Sequence, residues 1–215
     1  MSSSVNIISY TNAGGQPEDK ILAGLVAYTA RVSNPANQNN KDTQDNLLKY
    51  LMKHKHWSPF EMVNICLEIK TTRDIARQIL RHRSFSFQEF SQRYAEATDF
   101  TLRECRLQDT KNRQNSIENV DLELEREWKE HQTVVQEASQ RAYNWALKKG
   151  IAKEQARAVL PEGLTMSTLY VNGTLRSWIH YIELRIANGT QKEHREVAQM
   201  CLDKISEVFP YLQNK

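Results

Sequence analysis

Long apolar runs are missing from this sequence. No stretch of about 18 consecutive apolar residues occurs, which excludes a membrane-spanning helix, and the mean hydropathy is −0.66. No leader is expected either. Met1 to Val5 lacks the basic region and apolar core of a signal peptide, so the cytoplasm is the expected compartment. Cysteine is scarce: Cys66, Cys105 and Cys201 make three, an odd number, far apart and without the paired spacing of a metal site. A disulfide framework is therefore not expected, in agreement with a reducing compartment. Repeats and low-complexity tracts are absent. Charge of one sign is not in large excess either, since 29 Lys and Arg against 26 Asp and Glu leave +3.

What is present is the profile of one domain spanning 1–215. A chain of 215 residues can bury a sizeable core, and 40% hydrophobic with 26% charged residues is ordinary globular usage. The clearest local signal lies over 61–70. There Val63, Ile65, Leu67 and Ile69 face one way and Asn64, Cys66, Glu68 and Lys70 the other, the period of a half-buried strand. A short strand is expected over 5–10 and an extended piece over 164–171. Helices are expected over 18–29, 41–55, 73–81, 117–149, 151–160, 174–187 and 191–208. Thr71 or Thr72 is placed to cap the helix at 73. Residues 14–17 read as a turn, 31–40 as a polar loop, 84–97 as an ordered loop leading to a short extended piece, and 101–115 as a surface excursion. Pro59 disfavours helix at Ser58, and Gly150 ends the long helix. The class is α+β, an antiparallel sheet packed by helices.

Arginine is concentrated between Arg73 and Arg93. Arg73, Arg77 and Arg81 recur every four residues, one stripe along a helix. Such a stripe is either a solvated basic face or an anion site, for which the planar donor fork of arginine is suited. Residues 81–94 then hold three Arg, one His, one Glu and three Ser in fourteen positions. Glu89 is placed to orient Arg81, Arg83 and Arg93 by ion pairing, and Phe85, Phe87 and Phe90 to anchor the loop or line a slot for a flat ring. An RNA-binding module would use the same arginines and aromatics, but the cluster is embedded among apolar helix positions and the net charge is small. His54 and His56, with Glu61 nearby, lack a full set of ligands, so no metal is expected. His131 and His194 sit in charged helices and read as surface residues; Trp57, Trp145 and Trp178 read as core or interface. Cys105, between Arg103 and Arg106, is the cysteine whose neighbours suggest a lowered pKa, yet an incidental role is the expectation.

Arg81-His82-Arg83, seven residues and then Ser91, with Gln88, Glu89, Arg93 and Tyr94, resembles the signature of the flavin-dependent thymidylate synthases. Ala30 to Ser33, His56-Trp57-Ser58-Pro59-Phe60-Glu61, Arg157 to Pro161 and Arg176 to Arg185 resemble further segments of that family, in order. The likeness covers roughly 23–208 and is weakest over 101–135. It implies reductive methylation of dUMP to dTMP in a homotetramer whose flavin lies between subunits. FAD would be the cofactor, NADPH the reductant and 5,10-methylenetetrahydrofolate the carbon donor. By the same resemblance, Gln78, Arg81, Glu89, Ser91, Gln92, Arg93, Arg157 and Arg185 would contact dUMP. Ser33, Ser58, Glu61, Arg81, His82, Arg83, Ser84, Glu89, Thr174, Arg176 and His180 would contact FAD, with Asn172 an alternative to Thr174. A related activity, hydroxymethylation of dUMP, would use the same residues. No cysteine lies in a matched segment, so uracil C5 would be activated by the fixed cation of Arg185. Ser91 lacks an evident base and reads as a positioning group.

Arg176 and His180 share one helical face, and Trp178, Ile182 and Arg185 another. On this division Arg185→Ala is expected to abolish dTMP formation while the flavin stays bound, read from the visible spectrum of the purified protein. Loss of flavin would contradict the division.

Overall fold

The computed structural model describes residues 3–12 and 21–212. The expected turn at 14–17 and the start of the first helix lie outside them. In chain order come β1 (Ser4–Tyr10), α1 (Ile21–Ala30), a 3-10 turn (Pro35–Asn37), α2 (Gln44–Lys53) and a second 3-10 turn (Ser58–Glu61). β2 (Asn64–Thr72) runs straight into α3 (Arg73–Ile79), followed by β3 (Ser86–Glu89) and a small hairpin of β4 (Arg106–Gln108) and β5 (Ser116–Glu118). Then come α4 (Leu122–Lys148), α5 (Lys153–Ala156), a 3-10 turn (Arg157–Val159), β6 (Met166–Thr174), α6 (Leu175–Ile186), α7 (Lys192–Val208) and a last 3-10 turn (Pro210–Leu212). Among the described residues no helix is long and apolar enough to cross a membrane.

Four strands form one antiparallel sheet in the order β1-β2-β6-β3. Its spine is the unbroken register of β2 on β6, from Asn64 opposite Thr174 to Thr72 opposite Met166. The alternation read from β2 is realised: Ile65, Leu67 and Ile69 are fully buried, as are Leu169 and Val171 of β6. Val26, Leu48, Trp178, Ile179, Val197, Cys201, Ile205 and Phe209 cover that face. Full burial of an aliphatic side chain of this kind stabilises by about 1.5–3 kcal/mol. The opposite face is polar, as an antiparallel sheet allows; there Tyr170 Oη donates to Glu68 at 3.0 Å. The α+β class and the antiparallel sheet are as expected.

Several boundaries move for local reasons. Pro59 opens a 3-10 turn that buries Phe60, so the strand starts at Asn64 rather than 61. Part of the expected loop at 84–97 is a strand, β3, zipped onto β6. The expected excursion at 101–115 contains β4, whose partner β5 occupies the positions where the long helix was expected to begin. That helix starts at Leu122 because the Asp121 carboxylate accepts the Glu123 and Leu124 N–H groups. Thr72 stands at the N-cap of α3 without capping it; its hydroxyl donates to the Asp74 carboxylate instead. Thr174 does cap α6, accepting from the Ser177 N–H at 3.1 Å.

Gly173, in β6, is where a glycine is required by close approach. A Cβ there would lie 2.2 Å from Cδ1 of Phe85, whose ring packs on Trp178 with centroids 4.5 Å apart. Gly173→Ala is therefore expected to destabilise by roughly 1–3 kcal/mol, as overpacking does, read as a lowered urea midpoint. An unchanged midpoint would mean the Phe85 ring is free to move aside.

Candidate active site

β2 and β6 run antiparallel, and each continues without a loop into a helix. α3 departs at Thr72 and α6 at Thr174, which are opposite ends of the strand pair. The far ends of the two helices consequently meet. Arg185, in the last turn of α6, donates from Nε to His82 Nε2 at 2.9 Å, just past the end of α3. A guanidinium in a last helical turn also faces the negative end of the helix dipole. The ring edge of Tyr181 closes on His82 with centroids 5.0 Å apart. Burial, then the cations of Arg185 and Arg81, push the His82 pKa down to about 4. His82 is thus a neutral acceptor at Nε2, with its proton on Nδ1.

The arginine stripe is not one solvated face. Arg73 is buried, 3.6 Å from Glu89 and 3.3 Å from Glu162, and Arg77 shares Glu162 at 2.9 Å. Glu89 was expected to orient Arg81, Arg83 and Arg93; its ion pair is with Arg73 instead, and its carboxylate also accepts from Ser167 at 3.2 Å. Arg93 pairs with Glu154 at 3.1 Å. α3 stops at Ile79, which takes Arg81 off the stripe. Arg81, Arg83 and Arg157 stand outside the ion pairs found among the described residues; Arg81 and Arg83 are exposed and Arg157 is half-buried. Gln92 is 3% exposed, and its Nε2 has no partner among the described residues. A buried donor in that state costs about 1–3 kcal/mol. Ser91 Oγ accepts from the Arg93 N–H at 3.4 Å.

α6 presents three faces. Trp178, Ile179 and Ile182 point into the core. Arg176 reaches Glu61 at 2.5 Å, and His180 stacks edge-on against Trp57 at 5.0 Å, so the 3-10 turn carrying Ser58 and Glu61 joins the same neighbourhood. Arg185 lies apart from these two but touches His82, so the division of the helix into separate nucleotide and flavin faces is bridged by a hydrogen bond. Ser84 is exposed, and its carbonyl accepts from Ser177 at 3.3 Å. The Thr174 hydroxyl is occupied in capping, whereas Asn172 stands exposed on β6. Ser33 lies elsewhere, lining a 440 Å³ cleft between α1 and α2 with Asn34 and Tyr50.

Two corrections concern titratable groups. His194 is fully buried, between Gln78 at 3.1 Å and Tyr181 at 3.1 Å, not on the surface; His131 is exposed as expected. The arginines beside Cys105 do not activate it. Desolvation and the Glu125 and Asp121 carboxylates raise its pKa, and burial raises those of Cys66 and Cys201 too. Glu162, missed from sequence, directly follows the Arg157 to Pro161 segment, and that adjacency was its only signal.

The model of the thymidylate synthase complementing protein family matches residues 12–211. A probable flavin-dependent thymidylate synthase of Paramecium bursaria Chlorella virus 1 is 52% identical over 187 residues, 86% of each chain. A flavin-dependent thymidylate synthase of Synechocystis is 51% identical over 187 residues, 87% of this chain and 86% of that one. The chain belongs to the flavin-dependent thymidylate synthases. The fold agrees with that membership: the crystal structure of a UMP/dUMP methylase, PolB from Streptomyces cacaoi, superposes with a TM-score of 0.84 at 25% identity, covering 99% of this chain and 93% of that one. In this family member the signature Arg81-His82-Arg83 and the C-terminal Arg185 are thus joined by a direct contact.

Neutral histidines give the family fold here an acid limit. Burial and then Arg185 hold His194 down to about 3, as His82 is held to about 4, against about 6.5 for a free imidazole. The unfolded chain binds protons first, so stability is full above about pH 6.5 and falls as the pH drops from there toward the folded values. Urea midpoints across that window are expected to fall, and less steeply in His194→Gln. An equal slope in the variant would contradict the assignment.

Proposed function

We propose that this chain converts dUMP to dTMP, with FAD as its flavin, NADPH as reductant and 5,10-methylenetetrahydrofolate as carbon donor. Family membership supports the reaction, and the UMP/dUMP methylase that shares the fold was solved with 5-Br dUMP. The observation that carries the reading to named residues is the Arg185–His82 hydrogen bond. It brings a residue of the nucleotide set against a residue of the flavin set.

The donors present fit both ligands. Arg81, Arg83 and Arg157 offer unpaired planar forks suited to phosphates, and the Gln92 amide is a buried donor in need of an acceptor. FAD would be held by Ser58, Glu61, Arg81, His82, Arg83, Ser84, Glu89, Arg176 and His180, with Ser33 set apart from them in the cleft between α1 and α2. Asn172 suits it better than Thr174, whose hydroxyl caps α6. dUMP would be held by Gln78, Arg81, Glu89, Ser91, Gln92, Arg93, Arg157 and Arg185. When bound, reduced flavin supplies the hydride that completes the methyl group.

The chain's own residues set the electrostatics. His82 Nε2 orients the Arg185 guanidinium, and a preorganised cation beside the uracil ring favours its enolate-like form, typically worth about 3 kcal/mol per donor. Ser91 positions. The thiols, all raised, stay protonated at neutral pH and offer no thiolate to uracil C6. Arg73, buried and paired with Glu89 and Glu162, is withdrawn from any RNA surface.

A homotetramer with sites between subunits belongs to the same reading. It is supported by Trp128, Val134, Val135 and Trp145, exposed along α4, and by Arg81, Arg83 and His180, which lie on an open face. The whole chain, 1–215, is read as one domain, in the cytoplasm.

Incubation of the protein with dUMP, FAD, NADPH and methylenetetrahydrofolate is expected to yield dTMP, and omission of any one to prevent it. Cys105→Ser is expected to keep the rate within about twofold, as a substitution away from the chemistry does. Hydroxymethyl-dUMP as product, or NADPH oxidation without product, would reject the reading; an inactive Cys105→Ser would restore a thiolate mechanism.

A further inference from the structure

α3, α6 and α7 enclose a line of polar side chains of which the chemistry above uses only Gln78. Glu193 starts it. Its carboxylate accepts from Gln191 Nε2 at 2.9 Å and from Arg106 at 2.6 Å, with Arg103 at 3.6 Å. Gln191 Oε1 accepts from Gln78 Nε2 at 2.8 Å. Gln78 Oε1 meets His194 Nδ1 at 3.1 Å, and His194 Nε2 meets the Tyr181 hydroxyl at 3.1 Å. His194 is 0% and Tyr181 2% exposed.

The carboxylate settles the direction of every bond. Burial alone would raise the Glu193 carboxyl, but its own backbone N–H, the Gln191 amide, Arg103 and Arg106 hold it below the usual range. An ionised carboxylate only accepts. Gln191 must therefore turn its NH₂ toward Glu193 and its carbonyl toward Gln78. Gln78 must then turn its NH₂ to Gln191 and its carbonyl to His194. His194 donates from Nδ1, its Nε2 is left bare, and Tyr181 donates to it. A half-turn of the Gln78 amide would set acceptor against acceptor at Gln191 and would require His194 to exchange its tautomer.

We propose that Gln191 and His194, with Tyr181 behind them, are positioning residues that lock the Gln78 side-chain amide in one orientation toward the nucleotide. The proposal rests on the reading of Gln78 as a dUMP contact. One N–H and one carbonyl lone pair of Gln78 remain unspent in this arrangement. A locked amide offers them in a single order, which suits a ligand edge with a matching acceptor and donor. The three residues act through Gln78 and do not touch the ligand themselves.

A double-mutant cycle on the FAD-loaded protein tests this. Gln191→Leu and His194→Phe are each made with Gln78 intact and with Gln78→Ala; dUMP affinity is read by calorimetry and turnover by dTMP formation. Gln191 is half-exposed, so its variant keeps the test open if His194→Phe fails to fold. With Gln78 intact, Gln191→Leu is expected to weaken dUMP binding about fivefold, the worth of one hydrogen bond, with kcat changed less. In the Gln78→Ala background it is expected to add nothing. An equal loss in both backgrounds, or no loss with Gln78 intact, would overturn the proposal while wild-type turnover left the functional reading standing. Wild-type protein that bound no dUMP would reject both together.

Discussion

The register of β2 on β6 is the constraint from which the rest follows. Nine consecutive pairs, Asn64 with Thr174 through Thr72 with Met166, hold the two strands antiparallel. Neither strand ends in a loop; each becomes a helix at once. Antiparallel strands send those helices off from opposite ends, and helices lying on the same sheet face must then approach by their far ends. That is why a residue near 82 and one near 185, more than a hundred positions apart in the chain, share a hydrogen bond. A one-residue slip of this register would turn every side chain of a strand to the other face. It would take Ile65, Leu67 and Ile69 out of the core, and the helix ends would no longer meet.

Burial decides the charge states around that meeting point. His82 and His194 are both too desolvated and too near Arg185 to be protonated at neutral pH. The Arg185 guanidinium, hydrogen-bonded to His82, is thereby a fixed cation of the neighbourhood, and the imidazoles serve as directed acceptors and donors. The thiols are raised rather than activated. An electrostatic route to the uracil ring is consistent with these charge states, and a thiolate route is not.

Much of the fold was legible because its signals are periodic. The alternation from Val63 to Ile69 marked the central strand and the helical stripes marked the helices around it. β3 was not legible: Ser86 to Glu89 is half polar, and it is a strand because β6 offers it an edge, which is a tertiary cause. The same holds for β4 and β5, three residues each, which have no pattern to read. Family resemblance named a set of candidate residues, and only the folded chain shows the contacts among them. Spacing put Arg73, Arg77 and Arg81 on one stripe, yet only the folded chain shows Glu162 and Glu89 neutralising its first members. His194 was misread because charged neighbours flank it in sequence, while its own helical face turns inward against Tyr181.

The central claim is that the nucleotide and flavin contacts form one connected site through Arg185 and His82. It is tested most directly by calorimetric titration of dUMP into the protein with and without FAD. Connected sites are expected to show FAD tightening dUMP binding by at least about fivefold, with the same factor on FAD affinity when dUMP is present, because coupling is reciprocal. An identical dUMP affinity in both states would contradict the claim and leave Arg185 and His82 as neighbours without a shared task.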